Sequence, residues 1–295
     1  MNRMTLNLVL VVVVIGLGIT VLLSQKKTAK PTVPVTPLTA STLDSVVIDH
    51  PGSPTIKLQK IKGIWQLTAP VQTATDSFEM NAFTDLAAES VKTTFDPKQV
   101  NLKDLGLDPP GYSVTLNGQK IEFGGIEPIN YHRYIRTNGK IQMIADPPGT
   151  ALDADYSDLV SRSLLPENAQ IAAIALPGQT ITRSADDKSW ALSPPHPELK
   201  DADVQKLAGA WASAKSLWNA AETQDEIKKD DKGETVSVTL KNQPPIKFIV
   251  ITQKPQLVLA RPDLGVRYTL SEQLAETLLQ LPKPEPAPAE AKDKK

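Results

Sequence analysis

From residue 43 onward apolar and polar positions alternate in short bursts, the period of half-buried strands. SVVIDH (45–50) and TIKLQKI (55–61) read as two strands, and GIWQLTAP (63–70) as a third that stops at Pro70. Gly63 fits a tight turn between the second and the third. A helical period follows. Phe78, Phe83, Leu86, Ala87 and Val91 share one face of a helix over 76–95, with Asp76 or Ser77 at its N-cap. Two hairpins come next, YSVTL-NG-QKIEF (112–123) and HRYIRT-NG-KIQMIA (132–145). Each turns on Asn-Gly, the strongest short-range hairpin signal. A helix over about 149–163 closes this half.

The second half replays the order. AQIAAIAL (169–176), QTITRSA (179–185) and SWALS (189–193) are three strands. Residues 201–218 form a helix with Val204, Leu207, Ala208, Trp211 and Leu217 to one side. Hairpins over 235–251 and 256–270 and a helix over 271–281 follow. Two phrases recur at matched spacing. KGIWQLTAP is echoed by KSWALSPP, and SVTL occurs twice. Trp65 precedes Ser113 of the first SVTL by 48 residues, and Trp190 precedes Ser237 of the second by 47. Arg136 follows Ser113 by 23 residues and Arg261 follows Ser237 by 24. This implies a duplicated unit of about 110–120 residues. In each copy the Trp is expected at mid-strand, just before the chain leaves the sheet for the helix, where it buries on the order of 200 Å² and pins one to the other. Trp65 and Trp190 are therefore expected to be structural.

The ends differ from this body. Residues 6–23, LNLVLVVVVIGLGITVLL, carry no charge and as a helix span roughly 27 Å, close to the thickness of a bilayer core. The exit ITVLLSQKK lacks a small-x-small cleavage site, so the run reads as an uncleaved anchor. Arg3 precedes it and Lys26, Lys27 and Lys30 follow, a balance too even to orient the chain. The start of the run almost at residue 1 resembles an export signal and favours an extracytoplasmic body. The organisation expected is an anchor over 1–24, a Pro/Thr/Lys linker over 25–42, a first unit over 43–165, a second, divergent unit over 166–281 and a low-complexity tail over 282–295. The fold class expected is α+β, a transmembrane helix followed by two tandem antiparallel sheets covered by helices.

Composition narrows the chemistry. With 32 basic and 33 acidic residues in 295, the chain has no broad electrostatic reason to bind nucleic acid. The absence of cysteine removes disulfides, thiol catalysis and iron–sulfur clusters. The three histidines, His50, His132 and His196, fall in separate elements without metal-ligand spacing. No nucleophile elbow or phosphate loop is present, and FGGIEP (123–128) reads as glycines that let a strand exit at positive φ. No catalytic, cofactor or metal residue is assigned. The densest interaction-like stretch is NYHRYIRT (130–137). Tyr131, Arg133, Tyr134 and Arg136, together with Arg261 of the second copy, are residue types enriched at partner surfaces.

The run Trp65-x-Leu67-x-x-Pro70, then Leu105-Gly106-Leu107-Asp108-Pro109, then Val114-x-Leu116 and Tyr134-x-Arg136 resembles the family known as domain of unknown function 4340. The resemblance covers about 45–165. The second half keeps Trp190, Leu192, Pro195, Val238, Leu240 and Arg261 but has IKKDDKGE where LGLD would fall. The resemblance implies a protein anchored in the inner membrane of a bacterium with its body on the periplasmic side, in some relatives auxiliary to a transport system. It carries no enzymatic activity or cofactor to transfer. The function expected is a non-catalytic interaction or assembly module with a protein partner in the cell envelope. The alternative is an envelope-facing enzyme or ligand binder with a site between the two units.

Overall fold

A computed structural model of the chain describes residues 13–15, 17, 33–147, 152–186, 188–223, 225, 226, 229 and 233–282. The first sheet takes strands β1 (Ser45–Asp49), β2 (Ile56–Ile61), β3 (Ile64–Ala69), β4 (Thr73–Ala74), β5 (Thr93–Phe95), β6 (Tyr112–Leu116), β7 (Gln119–Ile126), β8 (His132–Thr137) and β9 (Lys140–Ala145). Helix α1 (Met80–Ala88) lies between β4 and β5. In space the order is β4-β3-β2-β1-β6-β7-β8-β9-β5. A one-turn helix α2 (Tyr156–Leu159) leads to the second sheet. There the strands are β10 (Ile171–Leu176), β11 (Gln179–Arg183), β12 (Trp190–Ser193), β13 (Trp218–Ala221), β14 (Glu234–Leu240), β15 (Ile246–Thr252), β16 (Leu257–Arg261) and β17 (Val266–Leu270). Helix α3 (Asp201–Ser213) precedes β13 and helix α4 (Gln273–Leu279) ends the unit. The spatial order is β12-β11-β10-β14-β15-β16-β17-β13, the order of the first sheet without a counterpart of β4.

The local causes are plain. Asn117 and Gly118 (φ 45° and 84°) and Asn138 and Gly139 (φ 51° and 70°) both adopt the left-handed conformation that a two-residue hairpin demands. Along β6, Tyr112, Val114 and Leu116 turn inward beside Phe123 and Ile121 of β7. In α3, Val204, Leu207, Ala208 and Trp211 make one buried stripe, and Asp201 and Asp203 sit where the helix dipole favours acids. The Asp201 carboxylate also accepts the Trp190 backbone N–H at 2.9 Å, tying α3 to β12. The buried apolar residues of both sheets and of α1, α3 and α4 form one contiguous core.

Several expectations need correction. The fold is not α+β with helix-covered sheets; it is mostly two antiparallel sheets of nine and eight strands with few, short helices among the described residues. Nine strands at about 4.8 Å spacing make a sheet roughly 40 Å wide, and a nine-residue helix is only about 13 Å long. The helices stop short of the ends that the apolar spacing predicts, at Ala88 and Ser213. Residues 93–95 and 218–221, expected to be helical or at a helix end, are the edge strands β5 and β13. The helix expected over 149–163 is a single turn, its start set by the Asp155 carboxylate accepting the Ser157 N–H at 2.9 Å. Among the described residues no helix is long and apolar enough to cross a membrane. Of the run 6–23 only Val13, Val14, Ile15 and Leu17 are described, all helical and exposed, and the rest of the expected anchor lies outside the described residues. The tail from 283 onward also lies outside them.

Residues 33–42, read as spacer, are part of the first unit. Val35 and Thr36 are buried, and Val35 donates its N–H to Glu89 at 2.8 Å. The second unit has the same lead-in, Leu164 donating to Ala214 at 3.1 Å. Glu89 and Ala214 are the C-caps of α1 and α3. The junction between the units is pinned from both sides. Asp76 donates its N–H to Leu159 at 2.9 Å in the first unit, and the Tyr156 hydroxyl donates to Gly265 at 2.7 Å in the second. Arg162 pairs with Asp76 and Glu79 at 3.4 and 3.5 Å.

The two tryptophans lie opposite a basic residue of the neighbouring strand. Trp65 faces Lys60, whose ammonium lies 5.2 Å from the ring centroid, and Trp190 faces Arg183 at 4.9 Å. Neither is at mid-strand: Trp65 is the second residue of β3 and Trp190 the first of β12. Trp190 is 8% exposed and its indole N–H donates to Gln205 of α3 at 3.2 Å, whereas Trp65 is half-buried.

Candidate functional site

The stretch 124–137 is built on a close approach of backbone to backbone. The loop carrying Leu105-Gly106-Leu107 lies on the outer face of β7. Gly125 donates its N–H to Leu105 at 2.8 Å. A Cβ at Gly124 would stand 2.4 Å from the Leu105 carbonyl oxygen and 2.9 Å from Leu107 Cγ. A Cβ at Gly106, which has φ +65°, would meet the Gly125 nitrogen at 2.9 Å. Glycines are required on both sides of this contact. The reading of Gly124 and Gly125 as positive-φ exits is therefore wrong. Neither adopts positive φ; Gly124 is bare so that the loop can seat, and a Cβ at Gly125 would make only an ordinary contact with the Leu105 carbonyl oxygen at 3.6 Å. Leu107 becomes fully buried there, outside the main core.

Beyond the glycines, β7 bulges between Phe123 and Ile126 and the chain turns back into β8. Three apolar side chains stand out at this tip: Ile126 (44% exposed), Ile129 (81%) and Tyr131 (71%). The backbone beneath them is fixed. Glu127 donates its N–H to His132 at 2.7 Å, and its carboxylate accepts the N–H groups of Ile129 and Asn130, both at 2.8 Å. The Asn130 and Ile129 amides hold the Glu127 carboxyl below the usual glutamate range.

Among the residues singled out from sequence, Tyr131 is at the tip, with φ 55°. Arg133 turns inward, donating to the Gly124 carbonyl at 3.0 Å and to Asp146. Arg136 turns outward and is paired with Glu122. That hydrogen bond is the chief reason the Glu122 carboxyl lies below its ordinary value. Tyr134 is half-buried, 6.0 Å from Phe95. Next to Arg133, burial pushes the Tyr112 hydroxyl up to about 12; its ring stacks on Phe123 at 4.5 Å and lies 5.4 Å from His50. Arg261 stands in the other sheet. Its guanidinium lies 6.0 Å from the Phe248 ring and pairs with Asp263 at 3.1 Å. Arg136 and Arg261 are thus not counterparts in space. Arg136 is on the outer face of β8, while Arg261 is on the core side of β16, two residues from buried Leu259. Among the described residues no three His, Asp or Glu side chains are grouped to hold a metal ion.

Sequence reasoning missed Ile126 and Ile129. The available signal was an apolar pair flanking Glu-Pro in a segment where a hairpin turn ought to be polar. It also missed a cleft of about 530 Å³ in the second unit, between Trp190 and helix α3.

A model of the family described as Domain of unknown function (DUF4340) matches residues 65–243. The match starts in β3, crosses the junction and ends just after β14. No curated protein matches the chain, and no solved structure does.

Proposed function

The chain belongs to the DUF4340 family, and on that premise we propose that it is a non-catalytic interaction and assembly module. It is tethered to the inner membrane through its apolar N-terminal run and works on the periplasmic side as an auxiliary part of an envelope or transport complex. The observation that carries the reading is the β7–β8 tip. Ile126, Ile129 and Tyr131 are held in solvent by a backbone that Glu127 locks. Adjacent exposed apolar side chains are characteristic of docking sites. A pre-set loop loses little conformational freedom on binding. The tether rests on the uncharged run 6–23 and on the family resemblance. The alternative of a ligand site between the two units has less support, since the larger described cleft lies within the second unit.

The test is site-specific photocrosslinking in native membranes from Ile129, with exposed Lys98 as the control position. The proposal expects one discrete protein adduct from Ile129 that Tyr131→Ser weakens. Identical patterns from the two positions would refute it.

A further inference from the structure

The first sheet has two unlike ends. The β7–β8 tip stands at one, beside Asp49 and Ala145. The turns Lys62–Gly63, Asn117–Gly118 and Asn138–Gly139 stand in a row at the other, since Ile61 pairs with Ile64, Leu116 with Gln119 and Thr137 with Lys140. Strand β8 alone puts about 20 Å between the two ends. Their charges differ. The tip end carries Asp49, Glu127, Asp146 and Asp153, and Arg133 there is bound to Asp146. At the row of turns Lys62, Lys140 and, just past β5, Lys98 are exposed and make no ion pair among the described residues. Exposed Asp44 and Asp96 lie among them, and neither is in an ion pair with a described lysine. Lys60 and Lys120 also lie at this end but are engaged within the unit, Lys60 on the Ala40 carbonyl at 3.1 Å and Lys120 on Glu122 at 3.5 Å.

An apolar side chain stands out in the same row. Ile64, directly after the Lys62–Gly63 turn, is 65% exposed. The matching turn of the second unit, between Arg183 and Trp190, reads SADDKS, with no large apolar residue and a negative balance. The direction of the chain adds a third observation. Val91 donates its N–H to Val33 at 2.9 Å and Val35 donates to Glu89 at 2.8 Å, so the lead-in runs antiparallel to 89–91. Beyond Val91 the chain enters β5, whose Phe95 pairs with Ile141 close to the Asn138–Gly139 turn. Traced backwards from Val35 to Val33, the backbone therefore heads for the row of turns. Nine residues, 24–32, separate Val33 from the apolar run 6–23, at most about 30 Å of chain, and they include Lys26, Lys27 and Lys30.

We propose that this row of turns rests on an anionic lipid surface, with Ile64 dipping between headgroups and Lys62, Lys98 and Lys140 facing lipid phosphates. Five strand spacings separate the Lys62 turn from the Asn138 turn, about 24 Å, a length matched to a flat surface rather than to a pocket. Lysines near an anionic bilayer are attracted within a Debye length, and an exposed apolar side chain gains by leaving water at the interface. The same surface repels the acidic tip end. Charge thus orients the first unit with its turns down and the β7–β8 tip pointing away, free for the partner proposed above. The inference rests on the tether, which holds the body within reach of the bilayer, and not on what the tip binds.

The chain has no cysteine, so a single label can be placed at either end of the sheet. The test reconstitutes the full chain into vesicles of phosphatidylcholine, with or without phosphatidylglycerol, after labelling Ile64→Cys or Ile129→Cys with the fluorophore NBD. In vesicles with phosphatidylglycerol, quenching by a doxyl-labelled lipid should be at least threefold stronger at position 64 than at 129. High salt, or Lys62→Gln with Lys140→Gln, should bring position 64 down towards the level of 129, with no change in thermal midpoint because both lysines are exposed. Equal quenching at the two positions, or no dependence on phosphatidylglycerol, would overturn the proposal. So would shielding of position 64 from aqueous iodide without quenching by lipid, which would assign the surface to a protein or a second copy. Flotation of the unlabelled chain separates this surface from the tether. Flotation with anionic vesicles alone would remove the tether and keep the surface, and flotation with neither kind would overturn both.

Discussion

The two units share a strand order and differ in how the space under the helix is used. In the first, Met80 and Phe83 turn inward and the region is solid. In the second, Gln205 and Ala208 take those places, counted back from the C-caps Glu89 and Ala214, and a cleft remains. The outer face diverges in the opposite sense. The first unit seats the Leu105–Leu107 loop on the bare Gly124–Gly125 pair, whereas in the second β15 carries Ile249, fully buried outside the main core. A duplicated sheet frees each copy to change where the other does not. The scaffold residues, the Trp with its basic neighbour and the SVTL strand, stay in both. The space-filling residues are the ones that vary.

The largest effect expected from breaking this comparison is at Phe83. Phe83→Ala would carve into the first unit a cavity at the place where the second has its cleft, and should cost about 4 kcal/mol in denaturant unfolding. Next come the tryptophans. Trp190 is nearly buried and bonded to Gln205, while Trp65 is half-buried. Trp190→Ala should therefore cost about 3 kcal/mol and Trp65→Ala about half that, read as the difference between two unfolding free energies. Equal losses would mean that the two residues are more alike in role than their surroundings indicate.

The smallest effect concerns the outer ion pair that the first unit makes between Arg136 and Glu122. The Arg136 hydrogen bond holds the folded carboxyl below the ordinary glutamate value of 4.5. A depressed folded value means the pair contributes fully above pH 4.5 and is lost as the pH falls through the folded value. The pair is part-buried and still reached by solvent, so its contribution is on the order of 1 kcal/mol. Glu122→Gln should lower stability slightly at neutral pH and flatten its acid limb. An unchanged slope below pH 4.5 would remove the pair from the account.

Much of the strand pattern was legible because alternation and Asn-Gly turns are local signals. The hairpins at Asn117–Gly118 and Asn138–Gly139 lie where those dipeptides stand. The edge strands β5 and β13 were not legible. Each is three or four residues long and directly follows a helical period, and only pairing with β9 and β17 makes them strands. That long-range pairing is also what made the helices seem longer and the fold seem richer in helix. The LGLD loop was visible as a motif, but its purpose was not. The contact that needs Gly106 and Gly124 joins residues nearly twenty apart through backbone atoms, which leave no mark on hydropathy. The cleft beside Trp190 was hidden for a related reason. Ala208 on a helical face reads as core whether or not anything fills the space above it, and only the sister residue Phe83 shows that something is missing.

The claim on which the comparison rests is that one shared space is filled in the first unit and open in the second, and Ala208→Phe tests it directly. Placing the sister unit's side chain into the slot should leave the unfolding free energy unchanged or raise it, because the volume is already there. A loss of about 1–3 kcal/mol, the usual cost of overpacking a closed core, would show that the space is not available and would contradict the account.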